Sequence, residues 1–386
     1  MSQSFVEAKV NPDRGFLPAQ DPLRQLPGPF KAWEDAAQQL PKLLVSDHLH
    51  RSIVDLPPFP LNEIHDHREL ERAMVLLSYL GHAYVWGGSR PATVLPERLA
   101  VPWHEIAERL GRPPVLSYSS YALHNYFRLD PTREIECGNI GLIQNFLGGI
   151  DEEWFILIHV DIERKAASAM AVLHACLDAA ERGQAEALEV LLEQVESSLR
   201  SIQTTMLRMP EHCDPYIYYH RVRPYIHGWK NHPDLPDGLI YEGVTVYGGQ
   251  PQQFRGETGA QSSIVPALDA MLGVTHQEDV LSLYLQEMRT YMPPEHRAFI
   301  QALELRTPVR VFVERSARSS LTSAYNACTE GLEKFRSLHL EYAARYIFHQ
   351  AQTDPKNPHA VGTGGTPFMQ YLKKHRDETG HSRLET

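Results

Sequence analysis

The sequence predicts a mainly α-helical protein: a large helical domain with a smaller amino-terminal domain of short helices and extended segments. Three observations carry this prediction. Glu163–Arg208 and Ser316–His349 are long stretches rich in strong helix formers. Apolar residues recur at three- and four-residue spacing through most of the chain, the period of a helix with one buried face. No strand–helix alternation of the kind that builds a doubly wound sheet is present.

Taken in order, the stretch to Pro58 is proline-rich with few regular apolar patterns, and Asp55-Leu56-Pro57-Pro58-Phe59-Pro60 reads as an extended connector. Leu70, Ala73, Met74, Leu77 and Leu80 place a helix over His67–Tyr84, ended by Gly87-Gly88. A second short helix is expected over Trp103–Leu110. It stops at Gly111-Arg112-Pro113-Pro114, which sets the domain boundary: residues 1–112 form the small domain and 113–386 the large one. Phe155–Ile162 is a short apolar run that fits a strand or a buried helix equally. The acidic Asp151-Glu152-Glu153 before it suits a helix amino terminus, where negative charge meets the positive end of the dipole. Gly183 breaks Glu163–Arg208 into two helices, Val280–Met292 is amphipathic, and Pro293-Pro294 opens the helix after it.

With a net charge of −11 the chain lacks the concentrated basic face that nucleic-acid binding needs. Met1–Arg14 has no apolar core, and no apolar run is long enough to cross a bilayer. Cys137, Cys176, Cys213 and Cys328 lie far apart, with neither zinc spacing nor a disulfide framework. The expectation is a monomer in a reducing cytoplasm, with no nucleic-acid or membrane partner.

Most of the 20 histidines have ordinary surroundings. There is no HExxH; His65-Asp66-His67 sits at a helix start, and His48 and His50 point apart if extended. His339 differs. Leu332, Phe335, Arg336, His339, Tyr342, Ala343, Tyr346 and Ile347 share one helical stripe. An imidazole within an aromatic and aliphatic stripe suits haem ligation, and Arg336, one turn earlier, suits a haem propionate. The same spacing also fits a core helix with a hydrogen-bonded histidine, and spacing alone favours that plainer arrangement.

Three further segments are unusual. Tyr216–Trp229 interleaves aromatics with Arg221 and Arg223, as in an aromatic pocket with a carboxylate clamp or in an interface whose arginines reach for water. Phe254–Ser263 is a small-residue loop leading to a helix with Asp269; such loops allow close approach to a flat ligand, though most are simple connections. Gly362–Thr366 combines a glycine run with a good helix cap, as a mobile lid or a plain helix start; it lacks the lysine of a phosphate loop.

In order and wording these stretches resemble the indoleamine 2,3-dioxygenase family. The carrying segments are YSSYALHN (Tyr118–Asn125), GWKNHPDLPDGLIYEG (Gly228–Gly243), GAQSS (Gly259–Ser263) before Asp269, MRTYMPPEHR (Met288–Arg297), RSLHLEYAARYI (Arg336–Ile347) and GTGGT (Gly362–Thr366). The resemblance implies haem b with His339 as the proximal iron ligand, Arg336 on a propionate, Asp269 supporting Arg336, and Thr258 as a further cofactor contact. It implies Arg223 as the substrate arginine, Phe146 as a distal-pocket aromatic, and Thr366 in the closing loop. The implied activity adds dioxygen across the C2–C3 bond of an indole, L-tryptophan giving N-formylkynurenine, with a reductant to keep the iron ferrous.

The chain departs from the family's best-known members at the pocket. An ungapped alignment puts Ile150 where a serine stands above the haem, and puts Tyr218, Tyr219 and Tyr121 where two phenylalanines and a cysteine stand. These phenols leave open a substrate other than tryptophan, since a buried hydroxyl needs a partner. A non-catalytic haem-binding or gas-sensing protein of the same fold is the rival expectation.

Overall fold

The computed structural model describes residues 10–277, 280–353, 363 and 368–385. The amino-terminal part is more helical than its prolines suggest. Helices α1 (Lys31–Gln38) and α2 (Leu49–Val54) precede the extended connector and pack Trp33, Ala37, Leu49 and Ile53 inward. They lean on α3 (His67–Trp86), which Asp66 caps by accepting from the Glu69 amide at 2.8 Å. From Glu71 to Ala83 every residue of α3 is buried, as befits a helix enclosed on all sides. Helix α4 (Glu97–Arg109) starts about two turns earlier than its sequence suggests. The helix runs through Pro102, with Leu99, Ala100, Trp103, Ile106 and Ala107 buried together.

The ambiguous apolar run lies inside α5 (Ile150–Met170), whose acidic residues occupy its first turn. Helices α6 (Leu173–Glu181) and α7 (Ala185–Met206) follow, parted at Gly183 with φ +68°. The short α8 (Ile264–Leu272) carries Asp269; α9 (Val280–Arg289), α10 (Pro294–Glu304) and α11 (Val309–Ser316) lead to α12 (Ser319–Ala343). The last described helix is α13 (Phe368–His381), packed on α12. Helix α7 packs against both α5 and α12. Strands are marginal: Val94–Leu95 pairs in parallel with Ile240–Tyr241, and Tyr126–Arg128 pairs antiparallel with Ile140–Leu142.

Two apolar cores result. One surrounds α3 and runs past residue 112 to recruit Tyr121, Phe146 and Trp229; the other fills the space between α5, α7, α8 and α12. Helix α5 is their common wall, giving Ile156, Leu157 and Val160 to the first and Ile158, Ile162 and Ala166 to the second. The candidate site lies along this seam. Among the described residues no helix is long and apolar enough to cross a membrane, and the four cysteines are free.

Candidate functional site

Three helical turns widen to i→i+5 hydrogen bonding, at Ser119–Leu123, Tyr218–Val222 and Ala344–Phe348. Such turns are rare and gather at functional sites, because the extra residue pushes side chains out of regular register. These three present Tyr121, Tyr218 with Tyr219, and Tyr346. The Tyr218 ring packs on Phe155 at 4.4 Å and edge-on to Tyr346 at 5.8 Å, and Tyr121 lies 6.3 Å from Phe155.

On α12, His339 keeps an exposed ring, and neither nitrogen has a partner among the described residues. Even so, protein atoms crowd it: burial, then His159 and Arg336, draw its pKa down to about 4. Its imidazole is neutral at physiological pH, with a lone pair available for coordination.

One turn earlier Arg336 is buried, donating to Asp269 Oδ2 at 2.6 Å and to the Thr379 hydroxyl. Burial works to raise the Asp269 carboxyl, but Arg336 and His276 hold it below its usual range. His276 lies 3.3 Å from Asp269 and 2.6 Å from Glu378; burial opposes its protonation, and the two carboxylates outweigh burial and raise its pKa. A chain of charges thus ties α12 to α8 and α13.

Across the seam, His159 Nδ1 sits 2.7 Å from the Phe155 carbonyl. The donor there is Nδ1, so Nε2 keeps its lone pair as an acceptor, and burial lowers this pKa as well. Tyr118 stands edge-on to His159 and donates to Glu163 at 2.9 Å. Burial pushes Glu163 up to about 7, against hydrogen bonds from Ser262 and Tyr118. Glu152 turns back from α5 to accept the amides of Phe146, Leu147 and Gly148; burial nevertheless raises it to about 7.

Arg223 is 1% exposed, with its guanidinium 5.4 Å from the Tyr219 ring centre. Its segment is held by α3: His82 Nδ1 lies 2.8 Å from the Tyr225 carbonyl, and the Trp86 indole donates to the His227 carbonyl at 2.9 Å. It crosses the Phe254–Ser263 loop at Gly228 and Gly256, where a Cβ on Gly228 would lie 2.1 Å from the Gly256 nitrogen. The close approach allowed by these small residues is therefore one of backbone to backbone. Just beyond the crossing, Glu257 is 4% exposed; its amide donates to the Ile226 carbonyl, and its own carbonyl accepts from the Thr363 hydroxyl. Burial lifts its carboxyl to about 8.

The family model described as indoleamine 2,3-dioxygenase matches residues 4–382. The chain belongs to this family. It is 37% identical to rat indoleamine 2,3-dioxygenase 1 over 98% of this chain and 95% of the relative. It is 34% identical to human indoleamine 2,3-dioxygenase 2 over 99% and 96%, and 34% identical to indoleamine 2,3-dioxygenase of Saccharomyces cerevisiae over 96% and 91%. The match includes the amino-terminal part, where short motifs alone showed only general similarity. Membership makes the chain an oxidoreductase.

Against the family expectation the residues sort clearly. His339, Arg336 and Asp269 gather on one side of the seam, and Tyr121, Tyr218, Tyr219 and Arg223 line the other. Thr258 is half-buried next to Glu257, its side chain accepting from the Ala260 amide. Phe146 is fully buried between Tyr79 and Tyr225, at 4.4 and 5.2 Å, and so backs the pocket. Thr366 lies outside the described residues, as do Gly362, Gly364 and Gly365; Thr363 is described. Ile150 needs correction: it is 57% exposed on the first turn of α5, while His159, about 13 Å further along that helix, is the group on it whose charge acts on His339. His159, Phe155 and Glu257 escaped sequence reasoning. The available signal was the i, i+4 spacing of Phe155 and His159 on a helix face.

Proposed function

We propose that this protein is a haem-dependent dioxygenase that inserts dioxygen across the C2–C3 bond of an indole, L-tryptophan or a close relative. The observation that carries the reading is His339: a neutral imidazole without a partner among the described residues, with buried Arg336 one turn away on the same helix. These residues fit haem b. His339 would hold the iron, and Arg336, braced by Asp269, would hold a propionate with Thr258 as a second contact. Bound haem, kept ferrous by an external reductant, supplies the activation of dioxygen.

The chain's own groups bind and orient the substrate. Tyr121, Tyr218, Tyr219 and Phe155, backed by Phe146, exclude water and pack the flat ring. His159 Nε2 offers an acceptor for the indole N–H, a contact that fixes which edge of the ring faces the iron. Arg223 takes a carboxylate; a gas sensor has no use for such a buried cation. Residues 1–112 and 113–386 serve as small and large domains.

The test is a product screen. Purified protein is loaded with haemin, reduced with ascorbate and given L-tryptophan and other indoles in air. A ring-opened product supports the reading; haem-loaded protein that opens no indole refutes it.

A further inference from the structure

Glu257 stands apart from the other buried carboxylates on the His159 side of the seam. Its residue is 4% exposed, and its carboxylate has no hydrogen-bond or ion-pair partner among the described residues. Other buried carboxylates on this side are served: Glu152 by three amides, Glu163 by two hydroxyls. A buried carboxyl without partners is costly and is retained where something arrives to meet it.

Its position is fixed from both sides. Gly256, just before it, touches the backbone of Gly228, and Thr258, just after it, caps the next short turn. Its amide and carbonyl are bonded to Ile226 and Thr363, so the main chain cannot easily turn the carboxyl elsewhere. The charge reaches Tyr79, Tyr118, Tyr121 and Tyr218, whose phenols it pushes up in addition to the effect of burial. Three of these border the space around His159 and Phe155. Tyr218 feels Arg223 as well, in the opposite sense.

We infer that Glu257 is a specificity-determining residue that accepts a positively charged nitrogen of the substrate, such as the ammonium of an indole alkylamine or amino acid. Resting on the proposed indole reading, it gives the pocket a cation receptor in addition to its arginine. Binding of an ammonium ionises the carboxyl, releases its proton to solvent, and replaces an unpaired group with a charge-assisted hydrogen bond. No covalent step is involved.

The experiment is isothermal titration calorimetry of haem-loaded wild type, Glu257→Gln and Arg223→Leu with tryptamine, indole-3-propionate and L-tryptophan. Tryptamine carries only the ammonium and indole-3-propionate only the carboxylate. Glu257→Gln should weaken tryptamine by roughly tenfold to a hundredfold and leave indole-3-propionate unchanged or tighter. Arg223→Leu should do the reverse, and L-tryptophan should lose affinity in both. Wild type should release a proton on binding tryptamine, seen in two buffers of different ionisation enthalpy, and Glu257→Gln should not. Loss of the proton release together with tryptamine affinity separates recognition from a merely structural role. If Glu257→Gln folds poorly, Glu257→Asp retains the charge at a shorter reach and should give an intermediate loss. Unchanged tryptamine binding in Glu257→Gln overturns the inference while Arg223→Leu still tests the pocket. If wild type binds none of the three, the indole reading falls and the inference with it.

Discussion

The two sides of the seam are built on opposite principles. On the His339 side the charges are paired with one another: Arg336, Asp269, His276 and Glu378 form a continuous chain that ties three helices and leaves over only one Asp269 oxygen among its described atoms. On the His159 side the Tyr121 hydroxyl and one Glu163 oxygen are buried without a partner among the described residues, and the carboxylate of Glu257, a residue 4% exposed, has none there either. A chain of paired charges is rigid and suits a group that stays bound. Unpaired groups in an aromatic enclosure suit one that comes and goes, since each regains a partner only when the ligand arrives. The proposed function assigns the cofactor to the first side and the substrate to the second.

The largest effect expected of that division is loss of haem from His339→Ala. Its Soret absorbance after loading with haemin should fall to a small fraction of wild type, and Tyr121→Phe or Glu257→Gln should retain theirs. An unchanged Soret spectrum in His339→Ala would remove the assignment of the proximal ligand. Next, Asp269→Ala strands Arg336 in the interior, and breaking a buried pair in this way costs about 3–5 kcal/mol. Urea unfolding of the haem-free protein measures it; a loss below about 1 kcal/mol would mean that the pair is not the brace described here.

Arg223→Leu tests the opposite side. Losing a charge-assisted contact to a carboxylate costs about 2–4 kcal/mol, or roughly thirtyfold to a thousandfold in kcat/KM for L-tryptophan. A simple indole without a carboxylate should be turned over nearly as well by the variant. Equal losses on both compounds would show a packing role in place of a clamp.

The pH dependence of stability gives a smaller effect. Burial raises Glu257 to about 8, and Glu152 and Glu163 each to about 7. Between the ordinary carboxylate range and these values the folded state keeps protons that the unfolded chain has released. Their contribution to stability therefore falls as pH rises from about 4.5 through 8. Glu257→Gln should flatten the upper end of that decline in urea unfolding between pH 6 and 9, and an unchanged slope would show the carboxyl to be solvated. Smallest is Tyr121→Phe, which removes a buried hydroxyl without a partner and should change stability by less than about 1 kcal/mol, neutral or favourable. A loss of several kcal/mol would reveal a partner for that hydroxyl and weaken the picture of an open chamber.

The sequence by itself determined whatever depends on local spacing. Arg336 and His339 had to share a face because they lie three residues apart in a strong helix-forming stretch, and the structure places that stretch in α12. The breaks at Gly183 and Pro293 and the helix at His67 were legible for the same reason, since capping and backbone preferences act within a few residues. The short motifs carried the family because they preserve those local requirements in order. What only the tertiary structure decided is who meets whom across long separations. Asp269 reaches Arg336 over 67 residues, and Thr363 reaches Glu257 over 106. His159 comes near His339 because α7 packs against both α5 and α12 and brings the two walls together. Nothing in the local pattern around Glu257 marks it as different from a loop carboxylate in water. Its burial, its lack of a partner and its raised pKa are properties of the two backbones that cross at Gly228 and Gly256, because desolvation depends on what the rest of the chain packs around a group.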